Sequence, residues 1–305
     1  MTGMRAIQRI LCAVDLSDAS ADAAAQAIAL AGWWNARISA LHVCAPLFAP
    51  VPGLPPPDQR IRDEERSHVR ERIGKYFARA AEACVPVDVE IDTGSPETCI
   101  LDRADALSAD VIVMATHGAS GFQHLLLGSV TEKVLRRAHC GVLTVPPFAH
   151  STSSRPFTRI LCPVDFSDPS LFALEAAASL ARASSAALTL VHVVEWPWHE
   201  PPAPSADDVP QPQAAALAEF RRYIEAGASR RLEKLGADLT LDRAPAVSIV
   251  HGKPYVEILR VAADTAADLI VMGVHGRNVV DMTLFGSTTN QLVRRAVCPV
   301  LTYRH

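Results

Sequence analysis

Short apolar runs alternate with longer helical stretches along the whole chain. In the first half the pattern predicts strands over 10–14, 38–43, 85–91, 111–115 and 142–145. Alanine-rich or 3.6-periodic stretches between them predict helices over 18–32, 58–83, 96–107 and 129–138. The second half repeats the order, with strands near 160–164, 188–194, 246–250, 269–273 and 300–303. Because strands that alternate with helices form parallel sheets covered by helices on both faces, we predict an α/β fold in each half.

The two halves are copies of one another. The run from Arg9 to Asp18, RILCAVDLSD, recurs 150 residues later as RILCPVDFSD, and Gly128-Ser129 recurs 158 residues later as Gly286-Ser287. The second copy therefore carries eight extra residues, which we assign to its proline-rich stretch. Such stretches span 44–57 and 196–212, and their proline content predicts exposed excursions outside helices and inner strands. The predicted domains are residues 1–148 and 157–305.

Composition and charge narrow the class of protein. Of the 305 residues, 49% are apolar and 20% are charged, which is typical of globular domains and excludes a disordered chain. The net charge of −4 gives no reason to expect nucleic acid or membrane as a partner. With no 18-residue apolar run and no signal peptide, we expect a cytoplasmic protein. The seven cysteines show no zinc-ligand spacing and are expected to be small buried residues.

Candidate chemistry lies just after the strands, because parallel sheets bind ligands beyond the carboxyl ends of their strands. Asp15 and Asp165 follow the first strand of each copy. After the fourth strand, the second copy has the pattern Gly-x2-Gly-x9-Gly-Ser over 273–287. Its first two glycines allow the backbone to approach a ligand, and its last Gly-Ser opens a helix whose free N–H groups favour phosphate. An aspartate beside this loop accepts hydrogen bonds from a sugar or base, or holds a divalent metal.

On these residues the chain resembles the universal stress proteins in tandem form, over nearly all of its length. The marks are Val-Asp-x-Ser at 14–17 and 164–167 and the His-Gly…Gly-Ser segments that end each copy. The resemblance implies two similar open five-stranded sheets of strand order 3-2-1-4-5. It also implies that the last strands, 142–145 and 300–303, pair to form an internal pseudo-dimer; a homodimer is a further possibility. In one subclass it implies ATP, with or without Mg²⁺, bound by the glycine loop.

The two copies differ in how completely they match the nucleotide-binding pattern. In the second copy the resemblance implies a nucleotide site formed by Pro163, Val164, Asp165, Val193, Gly273, His275, Gly276, Arg277, Gly286, Ser287 and Thr288. Asp165 is also the candidate metal ligand. The corresponding candidates in the first copy are Asp15, Val43, Gly118, Gly128 and Ser129. Because Ala115 and Ala13 replace Gly273 and Pro163 there, we predict nucleotide mainly in the second copy.

Several of these residues also have a purely structural interpretation. Ser129 begins Ser-Val-Thr-Glu, a capping box, so its hydroxyl can serve the helix alone. Asp15 and Asp165 can cap the helices that follow them. His117 and His275 fit turn residues bonded to backbone, and the strand-end histidines, His42 and His192, fit satisfied structural residues.

Three functions follow from these patterns. The first is an ATP-binding regulator of the stress response with little or no turnover. The second is a slow, metal-dependent ATPase that uses the same site. The third is a nucleotide-free scaffold whose proline-rich excursions recruit partner proteins. The sequence has no Gly-x4-Gly-Lys-Ser/Thr, Gly-x-Gly-x-x-Gly, His-Glu-x-x-His or Gly-x-Ser-x-Gly motif, so no catalytic residue is predicted.

Overall fold

The computed structural model describes residues 7–44, 59–118, 127–147, 157–195, 211–274 and 286–304. The strands of the first repeat are β1 (Arg9–Ala13), β2 (Arg37–Cys44), β3 (Val87–Thr93), β4 (Val111–Ala115) and β5 (Gly141–Val145). Its helices are α1 (Asp18–Trp34), α2 (Gln59–Tyr76), α3 (Pro96–Leu107) and α4 (Ser129–Arg137). The predicted order of elements is confirmed throughout this repeat.

The second repeat has the same succession of elements. Its strands are β6 (Arg159–Pro163), β7 (Ala187–Val194), β8 (Ala246–His251), β9 (Leu269–Gly273) and β10 (Val300–Tyr303). Its helices are α5 (Asp168–Ser184), α6 (Gln211–Asp238), α7 (Pro254–Asp264) and α8 (Ser287–Arg295). The fold class is therefore α/β in both repeats, as the sequence predicts.

Parallel pairing forms the sheet of each repeat. In the first, the order is β3-β2-β1-β4-β5 and every pair is parallel, which confirms the predicted order 3-2-1-4-5. In the second, β8-β7-β6-β9 follows the same order. Every residue of β4 and β9 is buried, as expected of central strands covered on both faces. The carboxyl ends of β6, β7 and β9 thus come together at one edge.

The last strand of the chain pairs with the last strand of the first repeat. Contacts divide the described residues into two compact units, one of 157–274 and 286–292, the other of 7–147 and 293–304. Within the second of these units β10 runs antiparallel to β5, with Leu301 opposite Leu143. Thr144 Oγ1 donates a hydrogen bond to the Val300 carbonyl at 3.1 Å. The pairing implied by the resemblance is confirmed.

Two sequence predictions about the long helices are wrong. The helix expected over 58–83 ends at Tyr76, because the chain tightens into a 3₁₀ turn at Ala78–Ala80, with Phe77 N–H bonded three residues back to Gly74. The eight extra residues of the second repeat were assigned to its proline-rich stretch, but α6 is ten residues longer than α2, whereas only two more residues separate β7 from α6 than separate β2 from α2. Pro212 lies in the first turn of α6, where proline is tolerated. Residues 45–57 and 196–210 lie outside the described residues.

The cysteines only partly follow their expected role. Cys12, Cys162 and Cys298 are buried, and all seven are free thiols, but Cys84 is exposed. Burial raises the pKa of Cys12 to about 12, so this thiol stays protonated at neutral pH. None of the helices in the described part of the chain is both long and apolar enough to cross a bilayer.

Candidate functional site

A cavity of about 750 Å³ opens at the carboxyl edge of the second repeat's sheet. It lies where β6 is flanked by β7 on one side and β9 on the other, the place at which parallel sheets bind ligands. Eight of the residues proposed from the sequence line it: Pro163, Val164, Asp165, Val193, Gly273, Gly286, Ser287 and Thr288. The other three candidates, His275, Gly276 and Arg277, lie outside the described residues.

The aspartate after the first strand of each repeat holds a turn. Asp165 Oδ1 accepts hydrogen bonds from the Ser167 N–H, at 3.0 Å, and from the Ser167 hydroxyl. Asp15 Oδ1 does the same with Ser17, with the N–H at 3.1 Å. The residue between them is in the left-handed region, with φ of 64° at Phe166 and 65° at Leu16. The structural role is therefore observed for one oxygen of each carboxylate, while Asp165 also lines the cavity.

A histidine braces this turn from the neighbouring strand. His192 Nδ1 donates to the Val164 carbonyl at 2.7 Å, and His42 Nδ1 donates to the Val14 carbonyl at the same distance. Both strand-end histidines are thus satisfied, as predicted. In the second repeat the centres of the Phe166 and His192 rings lie 4.7 Å apart, and the Arg231 guanidinium lies over the Phe166 ring, 4.2 Å from its centre. This stack connects α6 to the wall of the cavity.

The glycines at 273 and 286 have a packing cause. A Cβ at Gly273 would lie 2.7 Å from the Pro169 carbonyl carbon, at the start of α5. A Cβ at Gly286 would lie 2.7 Å from the Val274 carbonyl oxygen. Both distances are too short for any side chain, so these glycines let α5 and α8 approach β9. Thr289 Oγ1 then donates to the Val274 carbonyl at 3.1 Å and fixes the first turn of α8.

The capping box predicted at Ser129 is wrong. Gly128 occupies the N-cap position of α4 and makes no side-chain bond, and Ser129 is the first residue of the helix, with its side chain exposed. Glu132 forms an ion pair with Arg136 at 2.7 Å. The helix begins one residue earlier than a serine cap requires because the Gly128 carbonyl already accepts from the Glu132 N–H. Ser287 has the same position at the start of α8 and lines the cavity.

The first repeat brings its own candidates together at the matching edge. A Cβ at Gly118 would lie 2.6 Å from Asp15 Oδ2, and the Gly118 nitrogen lies 4.0 Å from a Cβ built at Gly128. Gly128 N–H donates to the Thr116 carbonyl at 2.9 Å. His117 Nδ1 lies 2.8 Å from the Thr116 hydroxyl, so the partner at this nitrogen is a side chain and not the backbone group that the sequence predicted. Val43 lies on β2, opposite Asp92 on β3.

The lining residues of the second cavity that the sequence did not identify include three on or just before α7 and α8. Lys253 precedes α7, Tyr255 is the second residue of α7, and Gln291 is the fifth residue of α8; all three line the cavity. Among the predicted site residues, Arg277 is the one cation. The repeat alignment offered a signal, since Gly252-Lys253-Pro254 matches Gly94-Ser95-Pro96.

The described residues form no metal site without a ligand. Within the ranges that the structure describes, no group of three or more His, Cys, Asp or Glu side chains could hold an ion. A magnesium ion that accompanies a nucleotide needs only one or two carboxylates, because phosphate and water supply the other ligands. Asp165, on the wall of the cavity, fits that lesser requirement.

Comparisons with known proteins agree with this architecture. The universal stress protein family model matches residues 6–146 and again 156–304. A universal stress protein of Methanocaldococcus jannaschii is 34% identical over 145 residues, 47% of this chain and 84% of the relative. One from Mycobacterium bovis is 26% identical over 277 residues, 88% of each chain. Among solved structures, a universal stress protein from Archaeoglobus fulgidus superposes with a TM-score of 0.69 at 24% identity, covering 97% of this chain and 98% of the other.

The two matches fall on the two repeats and together span most of the 305 residues. The relative from Mycobacterium bovis extends the likeness across both repeats in one chain. This chain belongs to the universal stress protein family, as a tandem member with two copies of the family's domain.

Proposed function

We propose that this protein is an adenine-nucleotide-binding regulator of the stress response, with the nucleotide in the cavity of the second repeat. One observation carries the proposal: eight residues chosen from the sequence as nucleotide contacts line a single cavity at the carboxyl edge of the sheet. Its volume of about 750 Å³ is within the ~300–1,000 Å³ range typical of small-molecule sites.

The groups around the cavity suit the parts of a nucleoside triphosphate. Ser287 and Thr288 open α8, where free backbone N–H groups and the positive end of the helix dipole favour phosphate. The Lys253 ammonium adds a cation to the same wall. Val164, Val193 and the second carboxylate oxygen of Asp165 offer an apolar surface and an acceptor to the nucleoside. Mg²⁺ bound with the phosphates would neutralise part of their charge.

The same geometry favours binding over turnover. The Asp165 oxygen that bonds Ser167 and the His192 nitrogen that bonds the Val164 carbonyl are both committed to holding the turn. A proton moved at either of these two atoms would break a hydrogen bond that holds the turn. The slow ATPase is therefore the second candidate, and the nucleotide-free scaffold is the third.

Mass analysis of nucleotide extracted from the purified full chain, followed by calorimetric titration with ATP and Mg²⁺, tests the proposal. We expect adenine nucleotide in the extract, or saturable binding after its removal. Phosphate release measured on the same samples separates a regulator from an ATPase. A chain that carries no nucleotide and shows no binding heat would favour the scaffold.

A matched pair of variants locates the site. Asp165→Asn keeps an oxygen for the turn but replaces the other acceptor with a donor, which mispairs a sugar hydroxyl or a base amino group. We expect ATP affinity to fall about tenfold, equivalent to ~1.4 kcal/mol. Asp15→Asn makes the same change in the first repeat and should leave the affinity unaltered. Equal loss in both variants, or loss only in Asp15→Asn, would place the nucleotide elsewhere.

A further inference from the structure

The two repeats differ at one pair of equivalent positions on their last two helices. Glu97 is the second residue of α3, and Lys133 is the fifth residue of α4. The same two positions in α7 and α8 hold Tyr255 and Gln291. Because the helices begin at matching residues, Pro96 with Pro254 and Ser129 with Ser287, the two pairs are directly comparable.

In the first repeat this pair is a salt bridge. Lys133 Nζ lies 2.6 Å from Glu97 Oε1, and the Glu97 side chain is only 16% exposed. The hydrogen bond from Lys133 lowers the pKa of Glu97 to about 2, so the carboxylate is ionised at neutral pH. The bridge joins the first turn of α3 to the second turn of α4.

In the second repeat the same positions are uncharged and border open space. Tyr255 and Gln291 both line the cavity, together with Ile258 on α7 and with Ser287 and Thr288 on α8. A phenol and a carboxamide cannot attract one another as two opposite charges do. They offer instead a flat aromatic face and an amide that both donates and accepts hydrogen bonds.

We infer that Tyr255 and Gln291 are specificity-determining residues that keep the space between α7 and α8 open and contact the uncharged nucleoside part of the ligand. The inference rests on the proposed function and goes beyond it. The tyrosine ring packs against the nucleoside, and the glutamine amide bonds its polar edge. In the first repeat, the salt bridge between Glu97 and Lys133 occupies the corresponding space.

Transplanting the salt bridge tests the inference. In the full chain, the double variant Tyr255→Glu/Gln291→Lys should weaken ATP and adenosine by a similar factor, at least tenfold, because the contact is with the nucleoside. A loss for ATP with adenosine unchanged would mean that the residues act on phosphate and would overturn the inference. Unchanged affinity for both ligands would also overturn it.

The matched control removes the salt bridge from the first repeat. Glu97→Tyr/Lys133→Gln makes the reverse exchange outside the proposed site, and the affinity of the second cavity should stay within twofold of the parent. A loss as large as that of the transplanted pair would show that such exchanges act through general destabilisation, and the inference would fail.

Thermal unfolding without nucleotide separates this inference from the proposed function. If the two positions face each other as in the first repeat, the double variant Tyr255→Glu/Gln291→Lys should melt above either single variant. If the parent binds no adenine nucleotide, the proposed function fails, whatever the melts show. If the parent binds nucleotide but the double variant melts no higher than the single ones, the positions do not face each other, and only the inference fails.

Discussion

The carboxyl edges of the two sheets share the same hydrogen-bonded turn and differ in the side chains of the helices that face it. Each has an aspartate that holds a serine two residues on, a left-handed residue between them, and a histidine bonded to the preceding carbonyl. The differences lie on the facing helices, where Lys253, Tyr255 and Gln291 replace Ser95, Glu97 and Lys133. The two repeats thus share the turns that build the edge and differ in the side chains on the helices that face it.

The two repeats also differ at a glycine of the nucleotide-binding pattern. Gly273 accommodates the start of α5 at Pro169, whereas the first repeat has Ala115 and Ala19 at the corresponding positions. A glycine that matches a nucleotide-binding pattern is here also required by the packing of a helix on a strand. The alanine at 115 is therefore poor evidence, by itself, against a ligand in the first repeat.

The largest loss of stability is expected from a substitution just before α8. Gly286→Ala would place a Cβ 2.7 Å from the Val274 carbonyl oxygen, and backbone has to move to relieve it. We expect a loss of about 2–3 kcal/mol in the free energy of unfolding. Gly128→Ala is the matched control, because its Cβ would meet the Thr116 oxygen at 3.4 Å. Urea unfolding followed by circular dichroism measures the stability of both variants. An equal loss of stability in Gly128→Ala would contradict the prediction that the two glycines differ.

The second largest loss of stability is expected where Gly273 packs against Pro169. Gly273→Ala should lower the free energy of unfolding by about 1–2 kcal/mol, because its Cβ approaches Pro169 within 2.9 Å at three atoms. Adding Pro169→Ala should recover little of the loss, because the three close atoms are the Cβ and the carbonyl group of residue 169, which alanine keeps. Urea unfolding of the single and double variants measures this, and full recovery of stability in the double variant would contradict a clash with the backbone.

A comparable but smaller effect is expected where β10 meets β5. Gly141→Ala would bring a Cβ within 2.8 Å of the Tyr303 ring, whose terminal atoms can shift more easily than backbone. We expect a loss of about 1 kcal/mol in the free energy of unfolding. Tyr303→Val, which places the residue of the equivalent position in β5 there, should relieve the clash in the double variant. Thermal melts of the three variants test this, and additive losses would contradict it.

The smallest effect is a pH dependence confined to the first repeat. The Glu97 pKa is lowered in the folded state by Lys133, so its stabilisation is present above the unfolded value, near 4.3, and is lost as the pH falls to about 2. The parent should therefore exceed Glu97→Gln in free energy of unfolding at pH 6, by less than about 1 kcal/mol, and the difference should close by pH 2. Tyr255→Phe is the control and should show no such closing.

Sequence pattern was most informative where local chemistry determines structure. The bounds of α3, β4, β9 and β10 were predicted to the residue, because proline begins α3 and short apolar runs bounded by polar residues define the strands. The end of α2 and the length of α6 were not predicted, because a charged helical pattern in the sequence continues past the point at which packing ends a helix.

The candidate site divides in the same way. Residues that follow a strand, such as Asp165 and Gly273, could be found because fold class alone places strand ends at the ligand edge. Tyr255 and Gln291 could not be found from the sequence, because their place beside the cavity depends on how two helices pack. In the first repeat the contact between Glu97 and Lys133 shows that the equivalent helices are neighbours. The complementary charges of that pair were visible in the sequence, but nothing marked them as neighbours.

The pairing of β5 with β10 has a consequence for synthesis on the ribosome. The chain completes β5 at Val145 and begins β10 at Val300, so roughly 155 residues are translated between the two partners. At ~5–20 residues per second, this takes about 8–30 s. Throughout that interval the outer edge of β5 has no β10 to satisfy its hydrogen-bonding groups, on a strand that is buried at every residue in the finished protein. Nascent chains on one messenger RNA carry the same open edge side by side, so neighbouring polypeptides compete with β10 until translation ends.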